Sequence, residues 1–467
     1  MTERINLPGV DDDDNNVLNR LIEELDKKAP RNQLRASYYD GKRAIRQVGT
    51  VIPPIYYRLG IVLGWSAKAV DILARRCNLD GFVWPDGDVD SLGLSTVWED
   101  NFWGAESDSA MISSLMHGVS FLVNTQGGAG EPESLIHVKD AMNATGDMNA
   151  RTRRLDNLLS VTGRDRDSGS LTSFALYLDG RTIAAERDGA VWRVDKSDHS
   201  WGVPAEALVY KPRAGRPMGM SRISRAVMSL HDQAMRTVIR MEGHADVYSF
   251  PEFWMLGADE SIFKNADGSP KASWQLMLGR IKGIPDDEDA TNPRADVKQF
   301  SASSPQPHID QLKQQAQLFS GETSIPLTSL GVSDMSNPTS ADSYIASRED
   351  LIAEAEGATD DWAPPLRRSL TRALAILNGE KEIPEAWRTI DTKFRSPLYL
   401  SRAAQADAGM KQISAVPWLA ESEVGLELLG LDAQQIKRAM ADKRRAQASK
   451  TTPSPVPPVP DDANVPS

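Results

Sequence analysis

The stretch PHIDQLKQQAQLFSGETSIPLTSLGVSDMSNPTSAD, residues 307–342, decides how the chain folds. Its first part has apolar residues at helical spacing, which predict one buried helix face; they are Ile309, Leu312, Ala316 and Phe319. Pro307 suits the first turn of this helix, because a helix leaves the N–H of that position unpaired in any case. Gly321 and Pro326 predict that the helix ends near residue 321.

A second, longer helix follows a loop bounded by proline and glycine. Its pattern begins at residues 340–343, and its apolar members are Tyr344, Leu351, Ile352, Leu366, Leu370, Leu374 and Leu377. Pro364 and Pro365 lie inside the pattern and should interrupt or kink the helix, because proline removes a helical hydrogen bond. The predicted order is therefore a helix, a loop and a long bent helix.

Parts of this stretch resemble bacteriophage portal proteins, the head-to-tail connectors of tailed phages. They are ETSIPLTSLG, residues 322–331, and SNPTSA, residues 336–341; YYDG, residues 38–41, is similar to the opening of portal wing domains. The chain looks most similar to portals of phages that infect actinobacterial hosts. The resemblance extends over residues 34–450 and rests on many weak matches in the right order.

The resemblance implies an α+β portal-type fold with an α/β wing, a two-helix stem, a small clip, a long bent wing helix and a helical crown. The implied segments are an N-terminal acidic arm (1–33), the wing (34–219), a stem helix (220–249), the clip (250–305), the returning stem helix (306–320), a tunnel loop (321–340), the long bent helix with its return to the wing (341–397), the crown (398–450) and a disordered Pro-rich tail (451–467).

Composition limits the function classes. The chain has 467 residues, enough for two or three domains or for one elaborated domain. A formal net charge of −12 argues against a protein that coats nucleic acid through a basic surface, although DNA could slide past it. The single cysteine, Cys77, fits a reducing cytoplasm. Neither a signal pattern nor an apolar run of membrane-spanning length is present, so we expect a soluble protein with no membrane partner.

The region assigned to the wing carries helix and strand signals. We predict helices over 66–77, with Ser66 as N-cap and Cys77 in the core, and over 98–115, with Phe102 among its apolar members. Strands are predicted at 119–124, 135–139, 171–178, 182–186, 191–194 and 205–210. The pairs Asp179-Gly180 and Asp188-Gly189 separate alternating runs, which is typical of a β-meander joined by tight hairpins.

The stem helix is predicted from Ser221 to about Tyr248. Ile223, Val227, Leu230, Ala234, Val238 and Met241 form one apolar stripe, and Arg222, Arg225, Arg236 and Arg240 fall on nearly the opposite side. These four arginines either form a solvated basic face or turn to acidic partners or DNA. The preceding GRPMGMSR, residues 215–222, lacks the lysine and spacing of a phosphate-binding loop, so we interpret it as a turn.

The clip, residues 251–304, is predicted to be irregular. Its acidic residues Asp286, Asp287 and Glu288 allow the alternative of a Mg²⁺-dependent DNA-processing enzyme. Beyond it, 383–397 is interpreted as a strand that returns to the wing. The crown should contain helices at 401–410, 421–431 and 432–447, the last capped by Asp432.

We expect a non-enzymatic protein. The six histidines are scattered, no nucleophile elbow is present, and we predict no catalytic residues, cofactor or metal site. The resemblance implies a homo-oligomeric ring, a dodecamer, in the virion at one capsid vertex. Double-stranded DNA, the terminase large subunit, a head-tail adaptor and the major capsid or scaffold protein would be its partners. Tunnel-loop residues in the channel would be Ser333, Asp334, Met335, Ser336 and Asn337. A virion protein without a channel is a further alternative.

Overall fold

The structure, a computed structural model, describes residues 4–43, 60–248, 252–256, 264–265, 267–269, 281–284, 296–300, 303–332, 348–399 and 401–451. The chain forms two compact units, which divide between Pro397 and Leu398. Helices and strands are mixed in the first unit, and the predicted α+β class is confirmed.

The first unit contains helices and strands along its whole length. Its helices are α1 (Asp12–Tyr39), α2 (Trp65–Ala74), α3 (Leu94–Asp100), α4 (Trp103–His117), α5 (Arg225–Tyr248), α6 (Gln306–Thr323) and α7 (Glu349–Leu377). Its strands are β1 (Leu79–Val83), β2 (Val119–Gln126), β3 (Ser134–Asp140), β4 (Ala144–Met148), β5 (Leu155–Arg164), β6 (Leu171–Leu178), β7 (Arg181–Asp188), β8 (Val191–Asp198), β9 (Ala205–Val209), β10 (Glu252–Leu256), β11 (Ile281–Ile284), β12 (Asp296–Phe300) and β13 (Asp391–Phe394).

An antiparallel meander follows the order β4-β5-β6-β7-β8. The first predicted hairpin is confirmed, because Leu178 pairs with Arg181 across Asp179-Gly180. The second closes one residue later than predicted, with Asp188 opposite Val191. Gly180 and Gly189 have φ of 72° and 64°, the left-handed region that these tight turns require. The strands β4 and β5, which the sequence analysis missed, complete the sheet.

Helix α1 packs on this meander. Leu18, Leu21, Ile22 and Leu25 share a core with Phe174 and Ile183, among others. Arg20 contacts Asp147 at 2.5 Å and Arg181 contacts Asp14 at 2.8 Å, so ion pairs flank the apolar contact. The boundary predicted at residue 33 therefore falls inside a helix that is packed against the wing sheet. The helix ends at Tyr39, and Gly41 has φ of 68°.

A second core joins α2, α4, α7 and the sheet β3-β2-β9. Cys77 is fully buried in it, as predicted, and burial raises the pKa of its thiol to about 12. The predicted N-cap role of Ser66 is wrong, because Gly64 precedes α2 and Ser66 lies within the helix. The prediction of one helix over 98–115 is also wrong, because these residues are divided between two helices, α3 and α4. They are separated at Phe102, whose φ is 49° and whose side chain is exposed.

The predicted return to the wing is a short strand. β13 pairs antiparallel with β1, and Arg395 contacts Asp80 at 2.6 Å beside the pair. This pairing joins the chain after α7 to the first helices of the wing.

Two long helices flank the predicted clip. α5 begins at Arg225, four residues after the predicted start, and α6 packs against it. The expectation of an irregular clip is wrong for residues 252–256, 281–284 and 296–300, which form strands. β10 pairs in parallel with β11 and antiparallel with β12, in the order β11-β10-β12.

The prolines do not interrupt α7. The helix runs from Glu349 to Leu377 with Pro364 and Pro365 inside it. Trp362, just before them, is fully buried, and its indole N–H donates to the Ser114 hydroxyl at 3.2 Å. Tertiary packing on both sides of the prolines thus stabilises a helix that local propensity disfavours.

The second unit is helical, with α8 (Arg402–Ala415), α9 (Glu423–Leu428) and α10 (Ala433–Thr451) close to the three predicted helices. Asp432 caps α10 by accepting the Gln435 N–H at 2.8 Å, which confirms that prediction. The Gln435 side chain accepts the Asp432 N–H at 3.1 Å, so the two residues form a reciprocal capping box.

Candidate functional site at the root of the stem

The helices α5 and α6 form an antiparallel hairpin. Near its root, Ser224 donates to Glu322 at 3.2 Å. Near its far end, the rings of His244 and His308 meet edge to face with centroids 5.4 Å apart. The strands of the predicted clip follow α5 and precede α6 along the chain, so the hairpin has the order expected of a stem.

The apolar stripe of α5 is only partly covered. Ile223, Val227 and Ala234 are buried, whereas Leu230, Val238 and Met241 are half-buried. On α6, Leu318 is 61% exposed. The hairpin therefore leaves apolar surface open within the described chain, and such surface is typical of an interface.

The four predicted basic residues do not share one face. Arg225 is exposed, and Arg236 and Arg240 are half-buried on α5. Arg222 precedes the helix and is 6% exposed, so it belongs to the interior. Arg222 is therefore not part of a solvated basic face.

Arg222 lies at the centre of a buried hub that joins four parts of the fold. Its guanidinium contacts Glu354 of α7 at 2.6 Å and donates to the Tyr210 hydroxyl at 3.1 Å. It also donates to the carbonyl oxygens of Ala69 in α2 and Thr323 at the end of α6. One side chain thus fastens the segment before α5 to α2, to α7 and to the end of α6.

The hub compensates the buried charge of Glu354. Its carboxylate also accepts the Tyr210 hydroxyl at 2.6 Å and pairs with Lys211. Burial alone would raise the pKa of Glu354, but Arg222, Lys211 and Tyr210 together hold it below its usual value. The carboxylate is therefore ionised at neutral pH, as the ion pair requires.

The hub also holds both flanks of the predicted tunnel loop. α6 ends at Thr323, residues 327–330 form a short 3-10 turn, and α7 begins at Glu349. Since Arg222 contacts both Thr323 and Glu354, the two helices that flank residues 324–348 meet at one guanidinium. The predicted channel residues Ser333, Asp334, Met335, Ser336 and Asn337 lie outside the described residues.

A second buried ion pair holds α7 to the wing sheet. Glu206 of β9 contacts Arg368 at 2.8 Å and Arg372 at 2.9 Å. Asn124 of β2 accepts from Arg372 at 3.1 Å and donates to the Ser369 carbonyl at 3.0 Å. These charged contacts fix the position of α7 on the sheet.

A third polar contact joins α5 to the first helices. His231 is buried, and its Nδ1 lies 2.9 Å from the Ser66 hydroxyl. The next residue, Asp232, accepts the Tyr38 hydroxyl at 3.0 Å. Burial lowers the pKa of His231, so a neutral ring occupies this site.

Sequence reasoning missed these polar residues, although one signal was available. Glu354 follows Leu351 by three residues and precedes Ala358 by four, which places a charge on the apolar face of α7. A charge in that position predicts a buried partner. Its identity, Arg222, could not be deduced, because the two residues are distant in the sequence.

Among the described residues, no group of three or more His, Cys, Asp or Glu side chains could hold a metal ion. The acidic run Asp286, Asp287 and Glu288 lies outside these residues. No helix in the described part of the chain is long and apolar enough to cross a membrane.

Known proteins similar to this chain include two curated phage proteins. The chain is 24% identical over 417 residues to the portal protein of Mycobacterium phage L5, covering 87% of this chain and 84% of the relative. It is 24% identical over 383 residues to the portal protein of Mycobacterium phage D29, covering 80% and 77%. These mycobacterial relatives agree with the resemblance to portals of actinobacterial phages.

Solved structures similar to this chain include necks of gene transfer agent particles. The neck of a native particle with C12 symmetry has a TM-score of 0.40 and 16% identity, covering 79% of this chain and 90% of the other. The neck of an empty particle with C6 symmetry has a TM-score of 0.41 at the same identity and coverage. The family model for the phage portal protein, SPP1 Gp6-like, matches residues 18–448. The chain therefore belongs to the family of SPP1 Gp6-like phage portal proteins, which are structural proteins of the virion.

Proposed function

We propose that copies of this chain close into a ring, a dodecamer, at one capsid vertex, and that double-stranded DNA enters and leaves the head through it. The observation that carries the proposal is the hairpin of α5 and α6 in a chain of the portal family, with Arg222 joining the end of α6 to α7. The partly uncovered apolar stripe of α5 and the exposed Leu318 supply surface for a neighbouring copy. A heterologous contact that closes produces a ring.

The ring acts as a conduit and a docking platform, with no chemistry of its own. The terminase large subunit and later the head-tail adaptor dock on the clip, and the major capsid or scaffold protein surrounds the wing. Arg213 and Arg216 exchange backbone hydrogen bonds in a turn that leads into residues 215–222, and that segment has no lysine to bind phosphates. The energy for packaging then comes from the terminase.

The net charge of −12 supports a conduit for DNA. Each phosphate that a lysine or arginine neutralises adds affinity, so an acidic ring lets DNA slide. In the proposed assembly, Arg225, Arg236 and Arg240 of the stem meet acidic partners or passing DNA.

Sedimentation of the purified protein tests ring formation. At micromolar concentration and physiological salt we expect a species several times the mass of one chain. Only monomers under these conditions would contradict the ring. The same preparation should contain folded protein by circular dichroism, which separates failed assembly from failed folding.

The second test concerns the tunnel loop. We expect Ser333→Lys, Met335→Lys and Ser336→Lys together to reduce packaged DNA per particle, because three lysines in each copy would bind phosphates and slow the passage of DNA. Ring formation is the control and should be unchanged.

Two outcomes of that test would overturn the placement of the loop. Normal packaging by the triple variant would show that the segment lies away from the channel. Loss of the rings would show that the segment is structural.

A further inference from the structure

A large cleft at the root of the stem is lined by positive charges. It has a volume of about 1070 Å³ and lies between α1 and the segment that leads into α5. The cations that line it are Lys28, Arg31, Arg35, Arg216 and Arg225, and the one acidic lining residue is Glu24. Lys28 and Glu24 pair with each other at 2.6 Å, so the excess charge of the cleft comes from the four arginines.

These arginines have no carboxylate partner within the described part of the chain. Arg31, Arg216 and Arg225 are exposed, and Arg35 is half-buried and donates to the His117 carbonyl oxygen at 2.7 Å. Burial lowers the pKa of Arg35 to about 10, and the charges of Arg31 and Arg216 act in the same direction. The cleft therefore concentrates like charges that repel one another in a chain whose net charge is −12.

His117 adds an unpartnered polar group to the cleft. Its side chain lines the cavity and is 5% exposed, and neither ring nitrogen has a partner among the described residues. Burial lowers its pKa to about 4, so the neutral ring offers one N–H donor at neutral pH. Buried polar groups ordinarily have partners, and an oxygen acceptor would provide one here.

The same chain carries a matching acidic surface on α7. Glu349, Glu356 and Asp360 follow one face of the helix at intervals of seven and four residues, and Asp350 lies beside them. All four are exposed, and none pairs with a cation in the described chain. Glu354, the hub residue, lies one turn after Asp350 and away from the face of Glu349, Glu356 and Asp360, and its contacts with Arg222 and Lys211 do not involve the stripe.

We propose that the acidic stripe of α7, residues Glu349, Asp350, Glu356 and Asp360, docks in the cationic cleft of the neighbouring copy. The inference rests on the proposed ring, because it assigns the two surfaces of one heterologous contact. Opposite charges across an interface set its register and accelerate association. Since each copy carries both surfaces, every cleft is occupied when the ring closes.

Charge reversal tests this contact. The cleft variant is Arg31→Glu with Arg216→Glu, and the stripe variant is Glu356→Arg with Asp360→Arg; all four residues are exposed, so folding should be retained. We expect each double variant to weaken assembly at least tenfold, and the quadruple variant to restore it to near the level of the natural sequence. Sedimentation at physiological salt measures the fraction of ring.

A matched control separates specific contact from net charge. Arg151→Glu with Arg166→Glu makes the same change in charge at exposed residues outside the cleft. This variant should assemble normally. If the control loses as many rings as the cleft variant, the effect comes from net charge alone and the proposal is overturned.

The remaining outcomes are also decisive. Normal rings from the cleft variant or the stripe variant would contradict the contact, as would failure of the quadruple variant to recover. If the cleft variant forms rings but binds a short DNA duplex less than the natural sequence does, the cleft binds nucleic acid and not the neighbouring copy. Absence of rings from the natural sequence would reject the proposed function itself, before either variant is compared.

Discussion

Replacement of Arg222 by alanine is expected to destabilise the protein by about 3–5 kcal/mol, because it removes the buried charged partner of Glu354 and leaves only the largely exposed Lys211 beside that carboxylate. The change also removes the donors to the Ala69 and Thr323 carbonyl oxygens, so α2 and the end of α6 lose their shared anchor. A lower denaturant midpoint at fixed protein concentration measures the effect.

The matched control is Lys211→Ala. Lys211 pairs with the same carboxylate, but its side chain is 58% exposed, and exposed ion pairs contribute about 0–1 kcal/mol. If Arg222→Ala lowers the stability no more than Lys211→Ala does, Arg222 is not the residue that anchors α5 and α6, and the account of the hub is wrong.

The hub also predicts a dependence on pH. The folded pKa of Glu354 lies below its ordinary value of 4.5, so the contribution of the hub is complete above that value. It is lost as the pH falls through the lowered pKa. The free energy of unfolding of Glu354→Gln should therefore fall less at acid pH than that of the natural sequence. Denaturant midpoints measured across this pH range test the difference.

Replacement of Gly219 by alanine is expected to have the second large effect, a loss of several kcal/mol or of folded protein altogether. Gly219 has φ of 68°, a conformation that costs other residues about 1–3 kcal/mol. A Cβ there would also lie 2.6 Å from the Gly118 carbonyl oxygen and closer still to that of Tyr210. Both oxygens belong to backbone, which cannot move aside without disturbing the sheet edge and α4.

Gly215→Ala is the control for this change. Gly215 lies in the same turn, has no positive φ, and a Cβ there would meet nothing within 4 Å. We expect it to be tolerated, with a change in stability under about 0.5 kcal/mol. Soluble yield and thermal melting of the two variants provide the comparison. Equal melting temperatures for Gly219→Ala and the natural sequence would show that the turn is not held against Tyr210.

Local sequence signals predicted many of the turns and helix ends, because the forces that form those features act over a few residues. Asp179-Gly180 predicted its hairpin, since the turn itself demands a positive φ. Asp432 predicted the start of α10, since its carboxylate caps an amide three residues away.

Features that depend on distant contacts were not predictable in the same way. Two prolines inside α7 favour a break, yet the packing of Trp362 and its neighbours keeps one helix. The parallel pairing of β10 with β11 has no turn signal, because parallel strands are joined by a crossover. Helical spacing placed Arg222 on a basic helix face, since neither the late start of α5 nor the contact of Arg222 with Glu354 is visible in the sequence.

Electron microscopy of the purified protein in negative stain is the most direct test of ring formation. We predict closed rings with a central hole, seen end-on, and a projecting stem in side views. Compact single particles without a hole, or open filaments in place of closed rings, would contradict a conduit for DNA.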